Sequence, residues 1–379
     1  MSAYRDPDRY ARQRLIPGWD QNRLAAASVL VAGAGALGNE VLKNLALLGV
    51  GNLLIVDVDQ IERSNLSRTL LFREEDVGQL KADAAARTVM SLNPDVHATA
   101  LTGDLRFVLG LGRVRGCMLA LGCLDNHGAR AYLSRMCMLA GVPLLDAGMW
   151  SLGGEVRVFV PGDGPCFDCS LAPEERRDLW LRYSCSGGFR VSEPTSPAPT
   201  VVTTAAVIGG LLAQTATQAL RGQLPPAGSA LVYNGQGGRM YRTAFQRDPA
   251  CQNHTRLDWD AVRMLPAPAA DLTARDVLAL FRERLDAPPT LDLGRDLLLA
   301  FECRACGRRE KVSQLLAAVD EARATCPHCG ARRAAEVFST VTPDAPWANW
   351  PLARLGVPDG EVLSARAGDM VQLFQLPYQ

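Results

Sequence analysis

The feature that most constrains this chain lies between Ser28 and Asp59, in the stretch SVLVAGAGALGNEVLKNLALLGVGNLLIVDVD. An apolar run from Val29 to Ala32 halts at Gly33, Gly35 and Gly38. Apolar residues then recur at Leu42, Leu45 and Leu48, before a second apolar run, Leu53 to Val56, ends at Asp57. The pattern predicts a strand, a glycine turn, a helix, a strand and a terminal acid. Each glycine in such a turn has its own duty: the first permits the tight bend, the second lets a phosphate approach the backbone, and the third lets the helix pack close to the strand. The helix then begins with free N–H groups aimed at an anion. Asp57, nineteen residues beyond Gly38, stands where an acid accepts hydrogen bonds from a ribose. A nucleotide site is expected, set in an α/β, Rossmann-like, doubly wound and mostly parallel sheet.

Composition removes several alternatives. With 379 residues, 48% of them hydrophobic, and a formal charge of zero, the chain has room for two or three domains and lacks the basic footprint of a nucleic-acid binder. No charge block suggests a membrane patch. The most apolar long stretch, Val201 to Leu220, carries several Thr and two Gln, so it reads as a buried helix and not a membrane span. The N-terminus is charged and polar, unlike a signal peptide. Most of the eleven cysteines fall in C-x-x-C pairs, which leads us to expect metal binding in a reducing cytoplasm. No G-x-x-x-x-G-K-[ST] occurs, which excludes the P-loop kinases and ATPases.

Residues 1–27, with Arg9, Tyr10, Arg12 and Gln13, read on charge alone as a solvated arm. A polar loop with Ser64, Asn65 and Arg68 follows Asp57, then a turn at Gly78 and a helix from about Gln79 to Leu92. Lys81 is one of only three lysines and falls in that helix's first turn, where a positive charge opposes the macrodipole; a lysine that serves a ligand and an ordinary surface lysine are the two readings. Val96 to Leu101 alternates like a strand. Cys117 to Leu124 reads as a buried strand ending at Asp125 and Asn126, which puts an acid in the crevice where open α/β sheets bind ligands. A helix from Gly128 to Ala140, a strand from Pro143 to Asp146 and an antiparallel extension from Gly153 to Pro161 follow.

Seven ordered motifs carry a resemblance: RYARQ, VAGAGALGNEVLKNLALLGVGNLLIVDVD, SNLSR, VGQLKADAA, CLDNHGAR, GVPLLDAG and the pair PCFDC with CQNH. Over roughly residues 4–254 the chain resembles the ThiF/MoeB and ubiquitin-activating-enzyme (HesA/MoeB/ThiF) adenylyltransferases. The resemblance implies ATP- and Mg2+-dependent adenylation of the C-terminal carboxylate of a small ubiquitin-like or sulfur-carrier β-grasp protein ending in Gly-Gly. It also implies roles: Asp57 and Asn65 hold the nucleotide, Arg68 and Lys81 contact phosphates, Asp125 associates with magnesium, and Arg12 is lent across a homodimer. The chemistry agrees, because a weakly nucleophilic carboxylate attacking an anionic triphosphate needs charge neutralisation and fixed geometry more than covalent help. A nicotinamide dehydrogenase shares the turn and Asp57 but has no use for Arg12, Lys81 and Asp125 at the phosphates.

Cys166 and Cys169 form one knuckle, and Cys251 stands eighty-two residues past Cys169 with His254 three later; three thiolates and an imidazole close a tetrahedral zinc site. The family's usual second pair is C-x-x-C, so His254 is a departure. Cys303, Cys306, Cys326 and Cys329 form two knuckles nineteen residues apart, a second, structural zinc site with no open position, and His328 is read as a bystander. Cys117, Cys123 and Cys137 lie in apolar patterns as small core residues. Cys185 differs. It lies in the polar RYSCSGGFRVSEPTSPAP with Arg182 and Arg190 nearby to favour a thiolate. In the family the corresponding crossover loop, here 182–200, carries the cysteine that takes the activated protein as a thioester or acyl-persulfide.

Beyond His254 the resemblance stops. Thr273 is placed to cap a helix from Ala274 to Leu285, Leu297 to Glu302 reads as a strand, Lys311 to Arg323 as a helix between the knuckles, and Val362 to Leu376 as a hairpin turning at Ala367 to Asp369. The expected organisation is an arm (1–27), an adenylation domain (28–254) and a small zinc-ribbon α+β domain (255–379) that recruits the modifier or a conjugating enzyme, or steadies a dimer. Trp347 and Trp350 are candidate anchors. The expected function is cytoplasmic activation of a ubiquitin-like protein, with transfer to a conjugating partner in a bacterial pathway. Activation of a sulfur carrier for thiamine or molybdopterin synthesis, adenylation of a small molecule or peptide, and a nucleotide-binding scaffold without turnover are the rivals.

Overall fold

The computed structural model describes residues 8–162, 164–177, 199–281 and 288–378, which divide into two units. The first runs through Val108, resumes over Val114–Ala172 and ends at Leu257; the second takes Leu109–Arg113 and the chain from Asp258 onward.

The first unit is built on eight strands: β1 Ser28–Ala32, β2 Asn52–Asp57, β3 His97–Thr102, β4 Leu119–Gly122, β5 Leu144–Trp150, β6 Gly153–Phe159, β7 Ser229–Asn234 and β8 Arg239–Ala244. Their order is β3-β2-β1-β4-β5-β6-β7-β8. The first five are parallel, and β6, β7 and β8 extend the sheet antiparallel. The helices are α1 Gln21–Ala25, α2 Ala36–Leu48, α3 Lys81–Leu92, the short α4 Leu105–Val108, α5 Leu111–Arg115, whose first three residues are assigned to the second unit, α6 His127–Ala140 and α7 Val202–Leu220. Strands β1 and β4 are buried almost throughout because helices cover both faces of a parallel sheet, and such strands read as unbroken apolar runs. α7, the stretch expected to be a buried helix, packs Ile208, Leu212 and Ala216 into the common core, and Gly209 lets it meet Glu40 of α2 where a β-carbon would stand 2.5 Å from the glutamate side chain. No helix among the described residues is long and apolar enough to cross a membrane.

The arm departs from expectation. From Asp8 onward it is no solvated tail: Tyr10 is buried and Leu24 of α1 is fully buried. Asp20 caps α1 through the N–H groups of Asn22 and Arg23.

The second unit contains β9 Val262–Met264, α8 Ala274–Leu280, β10 Thr290–Glu302, β11 Arg309–Leu315, β12 Ala334–Val341, β13 Val362–Ala367 and β14 Met370–Gln375. The sheet order is β11-β10-β13-β14-β9, with β12 also on β10. Thr273 and Asp276 form the capping box of α8, while 282–285 of the expected helix lie outside the described residues. The β13–β14 hairpin forms as read. Two readings fail. The helix expected from Lys311 to Arg323 is instead β11 followed by 3-10 turns Leu316–Ala318 and Glu321–Ala324. Its backbone bonds go to β10, with Glu302 opposite Arg309, because the first knuckle reverses the chain into a hairpin and supplies a partner strand that local propensity does not anticipate. The strand expected over Leu297–Glu302 is the second half of a thirteen-residue strand whose first half is hidden in sequence by Gly294 at φ +67° and by a register shift between Asp292 and Leu297.

Candidate nucleotide site and metal centres

The glycine turn has the geometry its sequence demands. Gly33 sits at φ +97°, and a β-carbon there would run into the Cys123 carbonyl at the end of β4. A β-carbon on Gly38 would strike the carbonyl of Gly33, so these two glycines are required by close packing. Gly35 is different: it is the N-cap of α2 at an ordinary φ of −71°, and nothing lies within 4 Å of where its β-carbon would be. Open space thus lies over Gly35 at the N-terminal end of α2, the kind of end whose N–H groups can receive an anion.

Around it stand the residues that end the parallel strands. One Asp57 oxygen accepts the Ala34 N–H at 2.6 Å and the other accepts the Asp59 N–H at 2.8 Å, so the acid ties the turn to β2. Burial holds the Asp57 carboxyl above the usual range, against the opposing pull of those two N–H groups and of Lys81. Lys81 is buried at the first turn of α3, its N–H bonded to the Asp59 carbonyl and its ammonium 2.8 Å from the Asp59 carboxylate. Asp125, just past β4, is exposed and accepts only a 3.3 Å bond from Asn126 among the described residues, while Asn126 caps α6 through the Ala129 N–H. Asn65 and Arg68 lie on the loop between β2 and α3, which the Leu71 N–H ties to Asn39 of α2 at 2.8 Å. Asn65 is buried and accepts the Glu62 N–H; the Arg68 guanidinium donates to the Ser64 carbonyl at 2.8 Å.

Arg12 does not join this group within one chain. Gln13, its neighbour, donates to the carbonyl of Leu47 near the end of α2, and Tyr10 reaches Asn93 and Asp95 beyond the end of α3. The glycine turn and Lys81 lie at the opposite ends of those helices, which at 1.5 Å per residue is about 18 Å away.

Sequence reasoning also missed a buried network behind the crevice. Asp146 of β5 accepts both contacts of 2.7 Å from the Arg130 guanidinium and is held again by Arg157 of β6 at 2.5 Å. Arg130 also donates to the carbonyl of Leu124, the residue before Asp125, and Gly122 has no β-carbon because one would sit 2.5 Å from Asp146. The signal was present in CLDNHGAR and GVPLLDAG, as an arginine on a helix and an acid in an apolar strand. Their pairing over sixteen residues was not.

Both cysteine clusters assemble. In each, all four ligand atoms lie within 4.8 Å of one another. A tetrahedral zinc with bonds of about 2.3 Å sets sulfurs about 3.8 Å apart. The separations are 3.8 Å for Cys166–Cys169, 3.6 Å for Cys166–Cys251, 3.5 Å for Cys303–Cys329 and 3.8 Å for Cys306–Cys326. His254 Nε2 lies 3.2 Å from the Cys169 sulfur. Burial and then Arg247 keep that imidazole below its ordinary pKa, in the neutral form a metal requires. The donor sets fit zinc. Backbone N–H groups of Cys329 and His328 pull the Cys326 thiol down to about 6, favouring the thiolate. Cys117, Cys123 and Cys137 are buried, and burial pushes the Cys117 thiol up to about 12. Cys185, with Arg182 and Arg190, lies outside the described residues.

Comparison with known proteins bears on the first unit. The ThiF family model matches residues 9–253. The chain is 33% identical over 253 residues to the sulfur carrier protein adenylyltransferase of Thermus thermophilus, covering 64% of this chain and 89% of that protein. It is 34% identical over 246 residues to the adenylyltransferase and sulfurtransferase MOCS3 of Mus musculus, covering 63% of this chain and half of the mouse protein. With the SAMP-activating enzyme E1 of Haloferax volcanii it shares 37% over 170 residues, 44% of this chain and 62% of that one. Among solved structures, E. coli MccB with ATP superposes with a TM-score of 0.54 at 22% identity, over 65% of this chain and 74% of that one, which is a likeness of fold. The matched span, the glycine turn and the strand order agree, and the chain belongs to the ThiF family.

Proposed function

We propose that the protein is an ATP-dependent adenylyltransferase that activates the C-terminal carboxylate of a ubiquitin-like or sulfur-carrier β-grasp protein ending in Gly-Gly. The observation that carries this reading is the open cradle at Gly35, with Asp57 and Lys81 beside it and Asp125 at the end of the neighbouring strand β4. ATP is the substrate whose α-phosphorus takes the carboxylate as pyrophosphate departs. Asp57 and Asn65 hold the ribose and its surroundings, and Asp125, exposed and nearly unpartnered among the described residues, holds Mg2+. Lys81 leaves Asp59 for the phosphates, joined by Arg68. Preorganised cations there stabilise the charge that develops at the transferring phosphoryl group. Arg12, displaced to the far ends of α2 and α3, serves the site of a second copy in a homodimer. The two cysteine clusters hold structural zinc.

The Cys185 thiolate then attacks the acyl adenylate, releasing AMP and forming a thioester, and the acyl group passes by thioester exchange to a cysteine of a conjugating enzyme in a bacterial ubiquitin-like pathway, freeing the Cys185 thiol. The stretch of the second unit from Asp258 onward, which lies beyond the matched residues, recruits one of these partners. The competing reading, activation of a sulfur carrier, draws support from the relative named for that activity, of which this chain spans 89%.

ATP–pyrophosphate exchange with candidate Gly-Gly-tailed proteins tests the reading. Exchange that requires such a protein is expected; exchange without one points to a small substrate, and none with any partner points to a scaffold. Cys185→Ala should spare exchange and abolish a reductant-sensitive adduct. Persistence of the adduct refutes the thioester.

A further inference from the structure

The segment carrying Arg12 is fastened to its own chain by a buried aromatic lock. Tyr10, in an otherwise charged stretch, is only 8% exposed. Its hydroxyl donates to Asp95 at 3.0 Å and accepts from the Asn93 amide at 2.8 Å. Asn93 is fully buried; the same amide nitrogen donates to the Ala46 carbonyl at 2.7 Å, and its oxygen accepts from Arg9 at 2.7 Å. Gly49, the left-handed cap of α2 at φ +75°, completes the slot, since a β-carbon there would lie 2.5 Å from the Tyr10 ring. On the other side of Arg12, Gln13 donates to the Leu47 carbonyl at 3.3 Å.

Arg12 is thus held between two anchors, exposed, with no side-chain partner among the described residues. Both anchors lie about 18 Å from the crevice of the same chain, a helix length that an arm pinned there does not cross. Beside Arg12 the apolar Leu15, Ile16 and Leu47 are 76%, 45% and 51% exposed, a rim that suits cover by a second copy.

We propose that Tyr10 is a positioning residue: locked between Asn93, Asp95 and Gly49, it fixes the arm so that Arg12 is presented to the nucleotide crevice of a second copy of the chain. This rests on the adenylation reading given above. A free arm would have to lose its backbone entropy on reaching the transition state, whereas a locked arm has lost it already on folding.

In the exchange assay, Tyr10→Ala should lower kcat about as far as Arg12→Ala and leave the KM for ATP unchanged. Tyr10→Phe, which keeps the ring and loses only the hydroxyl bonds, should lower kcat about 3- to 10-fold, and it tests the lock if the alanine variant folds poorly. The double variant Tyr10→Ala with Arg12→Ala should be no slower than Arg12→Ala alone, because Tyr10 acts only through Arg12. Finally, Tyr10→Ala copies mixed with Lys81→Ala copies should recover up to about a quarter of wild-type activity, since half the dimers are mixed and each has one complete site. A double variant whose loss is the product of the single losses, or a mixture without recovery, overturns the proposal. If the wild type exchanges and Arg12→Ala costs nothing, adenylation stands and this inference alone fails. If the wild type exchanges with no carboxylate substrate, the adenylation reading fails and this inference falls with it.

Discussion

The two units solve the same problem, holding a sheet together, in opposite ways. In the first, parallel strands are buried between helices, and their carboxyl ends leave polar groups with bonds still to make: the N–H groups at the start of α2 beside Gly35, and the exposed Asp125. In the second, charges near the cysteine knuckles are tied to one another, Arg309 with Glu336 at 2.5 Å and Glu310 with both Arg323 and Arg333. The metal centres follow the same division. Each contains a fully buried thiol, but the first joins a knuckle after β6 to ligands eighty-two residues later, whereas the second gathers its ligands locally and keeps Cys329 exposed. Reactive groups collect where a fold leaves bonds unmade, and the first unit leaves them at one crevice.

The comparison breaks most visibly on metal removal. Each chain should carry two zinc ions by atomic absorption, and Cys303→Ser should leave one. Because metal binding in such small sites supplies about 10 kcal/mol or more of folding energy, that variant should lose the order of β10, β11 and β12, seen as near-ultraviolet dichroism from the stacked Phe338–Trp347 pair. Exchange should stay within about twofold if the second unit adds no catalytic group. Next in size is Asp146→Ala, which strands two buried guanidinium groups and should cost about 3–5 kcal/mol in denaturant unfolding. Asp125→Ala should reduce exchange about 10²- to 10³-fold with an unchanged Tm; a variant retaining a tenth of the activity removes Asp125 from the cation site.

The smallest effect concerns Asp57. Its folded pKa is raised above the ordinary 3.8 by burial, so the folded state binds the proton more tightly than the unfolded chain, and Asp57 costs stability as pH rises through that interval. Asp57→Asn should therefore gain stability relative to wild type at pH 7 and lose that advantage as pH falls towards 4, while the KM for ATP rises. A stability difference that is independent of pH would contradict this account.

What was legible in the sequence was local or periodic. The glycine turn, the apolar strands and the C-x-x-C knuckles each declare themselves within a few residues, and their geometry follows from sterics and valence. What was hidden depends on partners distant in the chain. Tyr10 is buried because Gly49 and Asn93 make a slot for it, β11 is a strand because β10 lies beside it, and Asp146 is an ion-pair centre because Arg130 and Arg157 converge on it. Arg12 illustrates both cases, since its residue type was legible in RYARQ but its position at the far end of α2 was not.

The central claim is that a triphosphate lies over Gly35. Gly33→Ala and Gly38→Ala cannot test it, since a β-carbon at either site strikes backbone. Gly35→Ala can: its φ of −71° suits any residue and its β-carbon meets nothing within 4 Å. Calorimetric titration with ATP should show a Kd weakened at least about tenfold in Gly35→Ala, at unchanged Tm, because the methyl group fills the anion cradle. An unchanged Kd would place the nucleotide elsewhere and contradict the account.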